Sequence, residues 1–343
     1  MLSLPFNIPF TGFSHHSFFS AAAAVHTYFM YPNAPTEYKN GWDYHITPGG
    51  MQEDWYFVLG TMSGNNSLMD NFDDSIDNPD ADTAYCDFCM KFLGYRYTVA
   101  ESDFADALQK SIKQGNPAIA LLKDRSDGRN CFVLIGYDEE KPIAADHSGA
   151  QGDNTPPAYD EIEKLYVITD KCAPEYTLID GLRNVERSLV SVLDGGIWDD
   201  LRSRFEHYWD SYKNKPLEET KALFERLMNM MWNFDHCHNV SETFAHKAYP
   251  ALGDDRLAEQ CREINRIYSD THDMQWAMQS LHDLRHWDHA EWCSKEYGMF
   301  LFAQMGIDRL KKNDENVLAC VQEMIRILEQ EKEILGKQND IQS

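Results

Sequence analysis

Apolar and polar positions follow two different periods along this chain. Up to about residue 180, short apolar runs alternate with amphipathic segments, which predicts strands mixed with helices. Beyond residue 180 the apolar positions recur at helical spacing, as in Phe224, Leu227, Met231 and Phe234, and proline almost disappears. The pattern therefore predicts an α/β domain over residues 1–180 and an all-helical bundle over residues 181–343.

Capping residues and breakers set the limits of the predicted elements. In the first domain we expect helices at 17–30, 84–93 and 102–114, and strands at 117–122, 131–137, 142–146, 164–169 and 95–99. Residues 31–54 read as loops, and 55–60 as a short buried strand or an apolar turn. In the second domain we expect helices at 180–194, 196–212, 216–240, 254–282, 284–305 and 314–336.

Charge and cysteine usage narrow the class of protein. The formal net charge of -25 repels phosphate backbones and anionic lipids, so we expect no nucleic-acid partner and a mild preference for cationic ligands. No basic residue precedes Lys39, and no apolar run reaches the roughly 18–20 residues that cross a membrane. Eight cysteines spread over 343 residues suggest reduced thiols rather than a disulfide scaffold. We therefore expect a cytoplasmic protein without a membrane partner.

Three stretches of the first domain form an ordered constellation. Gly115-Asn116-Pro117 leads into one predicted strand. Asn130 precedes the apolar run 131–135 and the sequence Gly136-Tyr137-Asp138. Asp146 is the last residue of the next predicted strand, 142–146. Near the N-terminus, Ser17 lies where the first predicted helix begins.

This constellation resembles papain-like cysteine peptidases, above all the bacteriocin-processing type and the N-terminal domain of butirosin biosynthesis protein H. The resemblance covers roughly residues 10–170. It implies an α+β, papain-like (cysteine-proteinase) fold with the helical bundle appended. It also implies a nucleophile at the start of the first helix, a base before the Gly-Tyr-Asp sequence and a residue that orients this base.

Of the three catalytic positions carried over from the family, residue 17 is Ser17 instead of a cysteine and residue 130 is Asn130 instead of a histidine, whereas Asp146 matches as the orienting carboxylate. Asparagine cannot act as a base, and serine without a base is a poor nucleophile. We therefore expect a degenerate triad in a cleft that binds a small molecule or a peptide. The segment 55–64 also resembles a Ser-Gly segment of that family, which makes Trp55 and Ser63 candidate ligand-binding residues.

Two alternatives stay open. His15, His16 or His147 could replace the missing base, or Cys131 could act as nucleophile, which would give an acyltransferase or amide hydrolase with a rearranged site. Alternatively, His282, His286 and His289 fall on one helical face and, with residues 235–246, could bind a metal in the bundle. We expect no metal and no cofactor, because ordinary amphipathic helices explain this spacing and the pair Cys86 and Cys89 lacks a second pair. The long helices could bury a dimer interface, which leaves a homodimer open.

Overall fold

The computed structural model describes residues 1–6, 8, 17–31, 48–64, 83–123, 131–138, 141–145, 156–212, 219, 255–281 and 289–342. The chain divides into two compact units. One contains Met1–Ser63 and Ile76–Asp180, and the other Gly64–Ser75 and Gly181–Ser343. Helices combine with an antiparallel sheet, so the protein belongs to the α+β class, as the sequence predicts.

The sheet belongs to the first unit, and all its strand pairs are antiparallel. Its strands lie in the order β1-β4-β3-β6-β2, and β5 also pairs with β4. Their bounds are β1 Leu2–Ser3, β2 Tyr95–Ala100, β3 Ala118–Leu122, β4 Cys131–Tyr137, β5 Pro142–Ala144 and β6 Ile162–Lys171. A short 3-10 turn, Tyr159–Glu161, leads into β6.

The central strands β3 and β4 are apolar throughout because both of their faces are covered. Side chains of successive strand residues point to opposite faces of a sheet. Accordingly, Ile119 and Val133 belong to one buried cluster, whereas Ala120 and Phe132 belong to a second. A continuous apolar run is typical of such a doubly covered strand.

The described helices of the first unit are α1 Ser17–Met30, α2 Pro48–Met62, α3 Thr83–Phe92 and α4 Phe104–Lys113. The first packs against α2, α3, β3 and β4, and α4 packs against β3, β4 and β6. Residues Ala21–Ala24 are all buried. Four consecutive residues span the whole circumference of a helix, so α1 is enclosed on every side at this point.

The helix α2 corrects the sequence interpretation of residues 48–60, which we expected to form loops and a short strand. Pro48 occupies the first position of the helix, where its missing N–H is not needed. The buried positions Gln52, Tyr56, Leu59 and Ser63 follow a helical period, but two of them are polar. Gln52 Nε2 donates to Ser20 Oγ of α1 at 2.8 Å, so this amide is satisfied inside the core.

Gly136 lies within β4, as the predicted strand 131–137 requires. It pairs with Ser3 of β1 and with Ile143 of β5. A Cβ atom at residue 136 would lie 2.5 Å from the Leu2 carbonyl oxygen. The glycine therefore permits the close approach of β1, and a turn follows at Asp138, whose N–H donates to Lys141 O at 3.0 Å.

The described part of the second unit is helical. Its helices are α5 Leu178–Asp194, which begins at the end of the first unit, α6 Ile197–Tyr212, α7 Asp255–Leu281 and α8 His289–Gln342. Predicted helix 216–240 lies outside the described residues. Membrane crossing would need a long apolar helix, and the described residues contain none.

Helix α8 is continuous, whereas the sequence predicts two helices, 284–305 and 314–336. Gly306 and the pair Asn313-Asp314 suggest a break, but buried Ile307, Leu310, Asp314 and Val317 continue one stripe. The carboxylate of Asp314 accepts a hydrogen bond from Trp198 Nε1 at 2.7 Å. Because this partner comes from α6, the apparent break in the apolar pattern is a satisfied core contact.

Candidate functional site

The N-terminal end of α1 and the beginning of β4 hold the described neighbours of the predicted triad. Ser17 is the first residue of α1. Asn130, Asp146, His16 and His147 lie outside the described residues. Their placement stays a prediction, which can be judged only through the residues beside them.

The residues next to the three triad positions share one buried cluster. Phe18, Cys131 and Ala145 all belong to it. Ala145 donates its N–H to the Val133 carbonyl of β4 at 2.8 Å, two residues from Cys131. The backbone of Ala145, which precedes position 146, therefore lies beside the first residues of β4, the strand that follows position 130.

Tyr166 of β6 joins these neighbours through its buried ring. The Phe18 ring lies edge-on to it, with centroids 5.0 Å apart. Burial raises the pKa of the Tyr166 phenol above its usual range, and the Cys86 and Cys131 thiols raise it further. The tyrosine therefore stays neutral and serves as an apolar and hydrogen-bonding filler between α1, α3 and the sheet.

Cys131 does not offer an accessible nucleophile. Its side chain is 0% exposed at the start of β4. A reactive cysteine needs partial exposure and a stabilised thiolate, and Cys131 lacks solvent access. The pair Cys86 and Cys89 is buried too, and burial, followed by the neighbouring Cys86 thiol, raises the pKa of Cys89. All three are packing residues in the described core.

The two predicted ligand-binding residues are both on or beside α2. Ser63 is buried and donates its hydroxyl to the Gly60 carbonyl at 2.9 Å. The Trp55 ring lies edge-on to His26 of α1, with centroids 4.3 Å apart. Ser63 therefore binds the backbone of α2, and Trp55 packs α2 against α1.

The metal hypothesis concerns residues that lie mostly outside the described part of the chain. His282, His286 and residues 235–246 are not described, and His289 is the first residue of α8. Within the described ranges, no three His, Cys, Asp or Glu side chains converge as metal ligands would.

His26 is a buried histidine that the sequence did not single out. Its Nδ1 shares a hydrogen bond of 2.6 Å with the Tyr95 hydroxyl. Burial, with a smaller contribution from the Lys171 ammonium, lowers the pKa of His26 to about 4. The imidazole is therefore neutral near pH 7 and joins α1 to the edge strand β2.

A cleft of about 820 Å³ opens near Tyr95, between α3, β2 and the segment that follows β6. It also lies outside every motif of the sequence. Its polar lining includes Asp87, Lys91, Arg96, Tyr97, Cys172 and Glu175. These residues combine both signs of charge with aromatic and apolar surface, which is the composition of a small-molecule site.

The cleft is adjacent to the buried cluster beside the predicted triad, and aromatic rings join the two. The Tyr97 ring of the cleft lies 5.8 Å from the Tyr166 ring, which lies 5.0 Å from the Phe18 ring. Val99, which also lines the cleft, pairs with Tyr166 between β2 and β6.

No protein-family model, curated protein or solved structure matches this chain. The case for its function therefore rests on the residues and geometry described above.

Proposed function

We propose that the first unit is a papain-like domain that has lost cysteine chemistry and binds a small molecule or a peptide at its former catalytic positions. The observation that carries this proposal is the burial of Phe18, Cys131 and Ala145 in one cluster. Each adjoins one position of the predicted triad, so convergence of Ser17, Asn130 and Asp146 is compatible with the described backbone.

The packing of α1 supports the same proposal. A papain-like site needs its nucleophile at the start of a helix that crosses the sheet, because the helix dipole stabilises a thiolate there. Here α1 begins at Ser17 and packs on β3 and β4. With serine and asparagine at the two reactive positions, this arrangement can bind a ligand but lacks a thiolate and a base.

The experiment that tests the proposal rebuilds the missing pair. In the double variant Ser17→Cys with Asn130→His, the pKa of the introduced thiol should fall from about 8.5 to below about 7.5. The measurement is the pH dependence of iodoacetamide alkylation at residue 17, mapped by peptide mass spectrometry. Single variant Ser17→Cys and the double variant with Asn130→Gln are the matched controls. The helix dipole lowers the thiol pKa in all three variants, and only the variant with histidine at residue 130 should show the further fall.

If the double variant alkylates with the same pH profile as its controls, positions 17 and 130 do not converge and the papain-like assignment is wrong. Catalysis is tested separately with a fluorophosphonate probe on the wild-type protein. We expect no labelling of Ser17, and selective labelling there would favour the acyltransferase or amide hydrolase instead.

Binding is tested by native mass spectrometry of the purified protein with and without the substitution Ser17→Trp, which fills the start of α1. We expect the wild-type protein to carry a bound small molecule or peptide that the Ser17→Trp variant no longer carries. A species retained by both proteins would lie elsewhere and would contradict binding at the triad positions.

A further inference from the structure

The charged side chains of the cleft fall into a fixed group and a loosely held group. Tyr97 donates its hydroxyl to Asp87 Oδ1 at 2.5 Å, and Lys91 Nζ lies 3.0 Å from Asp87 Oδ2. Burial and the Asp87 carboxylate raise the pKa of the Tyr97 phenol. Asp87, Lys91 and Tyr97 therefore form one hydrogen-bonded wall.

Arg96 and Glu175 form the loosely held group. The Arg96 side chain is 72% exposed, and its guanidinium lies 3.7 Å from Asp170. The Glu175 side chain is 64% exposed, and its carboxylate lies 3.6 Å from Lys91 Nζ. Both separations exceed those of charge-assisted hydrogen bonds, so these groups keep most of their bonding capacity.

The backbone around these groups is fixed. Cys172 N–H donates to the Gly94 carbonyl at 2.8 Å, and Glu175 N–H donates to the Lys91 carbonyl at 3.0 Å. These two bonds attach the segment after β6 to the end of α3. The cleft is thus formed before any ligand enters, which reduces the entropy lost on binding.

The cleft also offers apolar surface. Val99 lines it with a side chain that remains 40% exposed on the edge strand β2. An apolar group of a ligand could cover this side chain and the neighbouring Tyr97 ring. One ligand could therefore meet a cation, an anion and an apolar patch in the same site.

We infer that this cleft is a second binding site, for a small zwitterion of the amino-acid or short-peptide type. The ligand carboxylate binds the Arg96 guanidinium, its ammonium binds the Glu175 carboxylate, and its side chain packs on Val99. Opposite charges on one ligand suit this cleft because its own charges are balanced. The described lining of this site does not include Phe18, Cys131 or Ala145, the residues beside the triad positions.

Cys172 provides the readout, because this half-buried residue lines the cleft and its thiol lies 3.5 Å from the Gly94 carbonyl oxygen. The full-length protein is alkylated with iodoacetamide in the presence of the dipeptide Gly-Leu, and labelling is mapped by mass spectrometry. At about ten times Kd, alkylation of Cys172 should fall to about one tenth of its rate. The buried thiols Cys86, Cys89 and Cys131 should be unaffected, which shows that the fold is intact.

Two blocked dipeptides identify the charges that matter. N-acetyl-Gly-Leu lacks the ammonium and Gly-Leu amide lacks the carboxylate, so each should bind about tenfold more weakly. The substitution Arg96→Gln should weaken the binding of Gly-Leu as much as amidation of the dipeptide does. The substitution Glu175→Gln should weaken this binding as much as acetylation of the dipeptide does. Exposed Lys110→Gln and Glu163→Gln, away from the cleft, are the matched controls and should bind normally.

Isothermal titration calorimetry with Gly-Leu provides a second measurement that does not depend on thiol reactivity. The inference is overturned if the wild-type protein shows neither Cys172 protection nor binding heat. It is also overturned if the three dipeptides bind equally, because charge recognition would then be absent.

Discussion

The cluster beside the predicted triad and the neighbouring cleft differ in how tightly their side chains are packed. In the cluster, Phe18, Cys131 and Tyr166 are almost entirely buried, whereas the side chains of Arg96 and Glu175 in the cleft are mostly exposed. A sequence motif marks the cluster, and no motif marks the cleft. This difference shows that a motif can identify residues that determine the backbone conformation, whereas ligand binding also needs side chains that can still form hydrogen bonds and ion pairs.

The largest effect should come from the packed cluster. Substitution Phe18→Ala should lower the free energy of unfolding by about 3–5 kcal/mol, because it removes a fully buried ring that contacts Tyr166. Val99→Ala in the cleft is the control and should change it by less than about 0.5 kcal/mol, because Val99 is partly exposed. Urea unfolding measures both, and equal losses would show that the cluster and the cleft are packed alike.

A pH effect should distinguish the buried contact beneath the cleft. The pKa of His26 falls from 6.5 in the unfolded chain to about 4 in the folded protein, so the unfolded chain binds the proton more readily. Because the folded state keeps this histidine neutral while the unfolded state takes up the proton, the free energy of unfolding falls progressively between about pH 6.5 and about pH 4. The total loss is about 3 kcal/mol.

The substitution His26→Gln should remove this part of the pH dependence. The measurement is the free energy of urea unfolding at pH 7 and at pH 4, and the change between the two values should be smaller in the variant than in the wild-type protein. The exposed residue His207 provides the control variant His207→Gln, which should keep the wild-type change. An unchanged difference in His26→Gln would mean that the imidazole is not buried as described.

The turn that supports the cleft gives a smaller effect. Gly94 and Gly115 both have positive φ, +77° and +84°, but a Cβ atom at residue 94 would lie 2.5 Å from the Cys172 carbonyl oxygen. Nothing lies within 4 Å of a Cβ atom at residue 115. Gly94→Ala should therefore cost more stability than Gly115→Ala, which loses only about 1 kcal/mol to backbone strain. Thermal unfolding compares them, and equal losses would contradict the close approach of Cys172 to Gly94.

The smallest effect should come from Glu175. Its contact with Lys91 is long and exposed, so Glu175→Gln should lower the free energy of unfolding by less than about 0.5 kcal/mol. Urea unfolding is the measurement, with Glu163→Gln as the control. A loss above about 1 kcal/mol would mean that Glu175 holds the fold together and is unavailable to a ligand.

Much of the regular structure could be predicted from local signals. The helix Ser17–Met30 and the strands of the central sheet follow from apolar runs bounded by breakers, and Gly94 and Gly115 end α3 and α4 with positive φ. The strand β1 was missed because Leu2–Ser3 is too short to carry a period. The continuity of α8 and the helix α2 were missed because their buried faces include polar residues, Asp314 and Gln52.

The candidate sites were less predictable than the fold. Family resemblance indicates Ser17, Asn130 and Asp146, and their convergence stays a prediction. The cleft has no signal in the sequence, because Asp87, Arg96 and Glu175 come from α3, β2 and the segment after β6. Only the pairing of β2 with β6 and the contact of Gly94 with Cys172 bring them together.

By itself, the sequence determined the helices and strands whose buried positions are apolar, since hydrophobic periodicity reports burial directly. Tertiary structure alone decided the elements and contacts that bury polar groups. Gln52 is satisfied by Ser20, Asp314 by Trp198 and His26 by Tyr95, each from a different element. A polar residue can be buried only where a partner meets it, and that partner is set by the packing of distant segments.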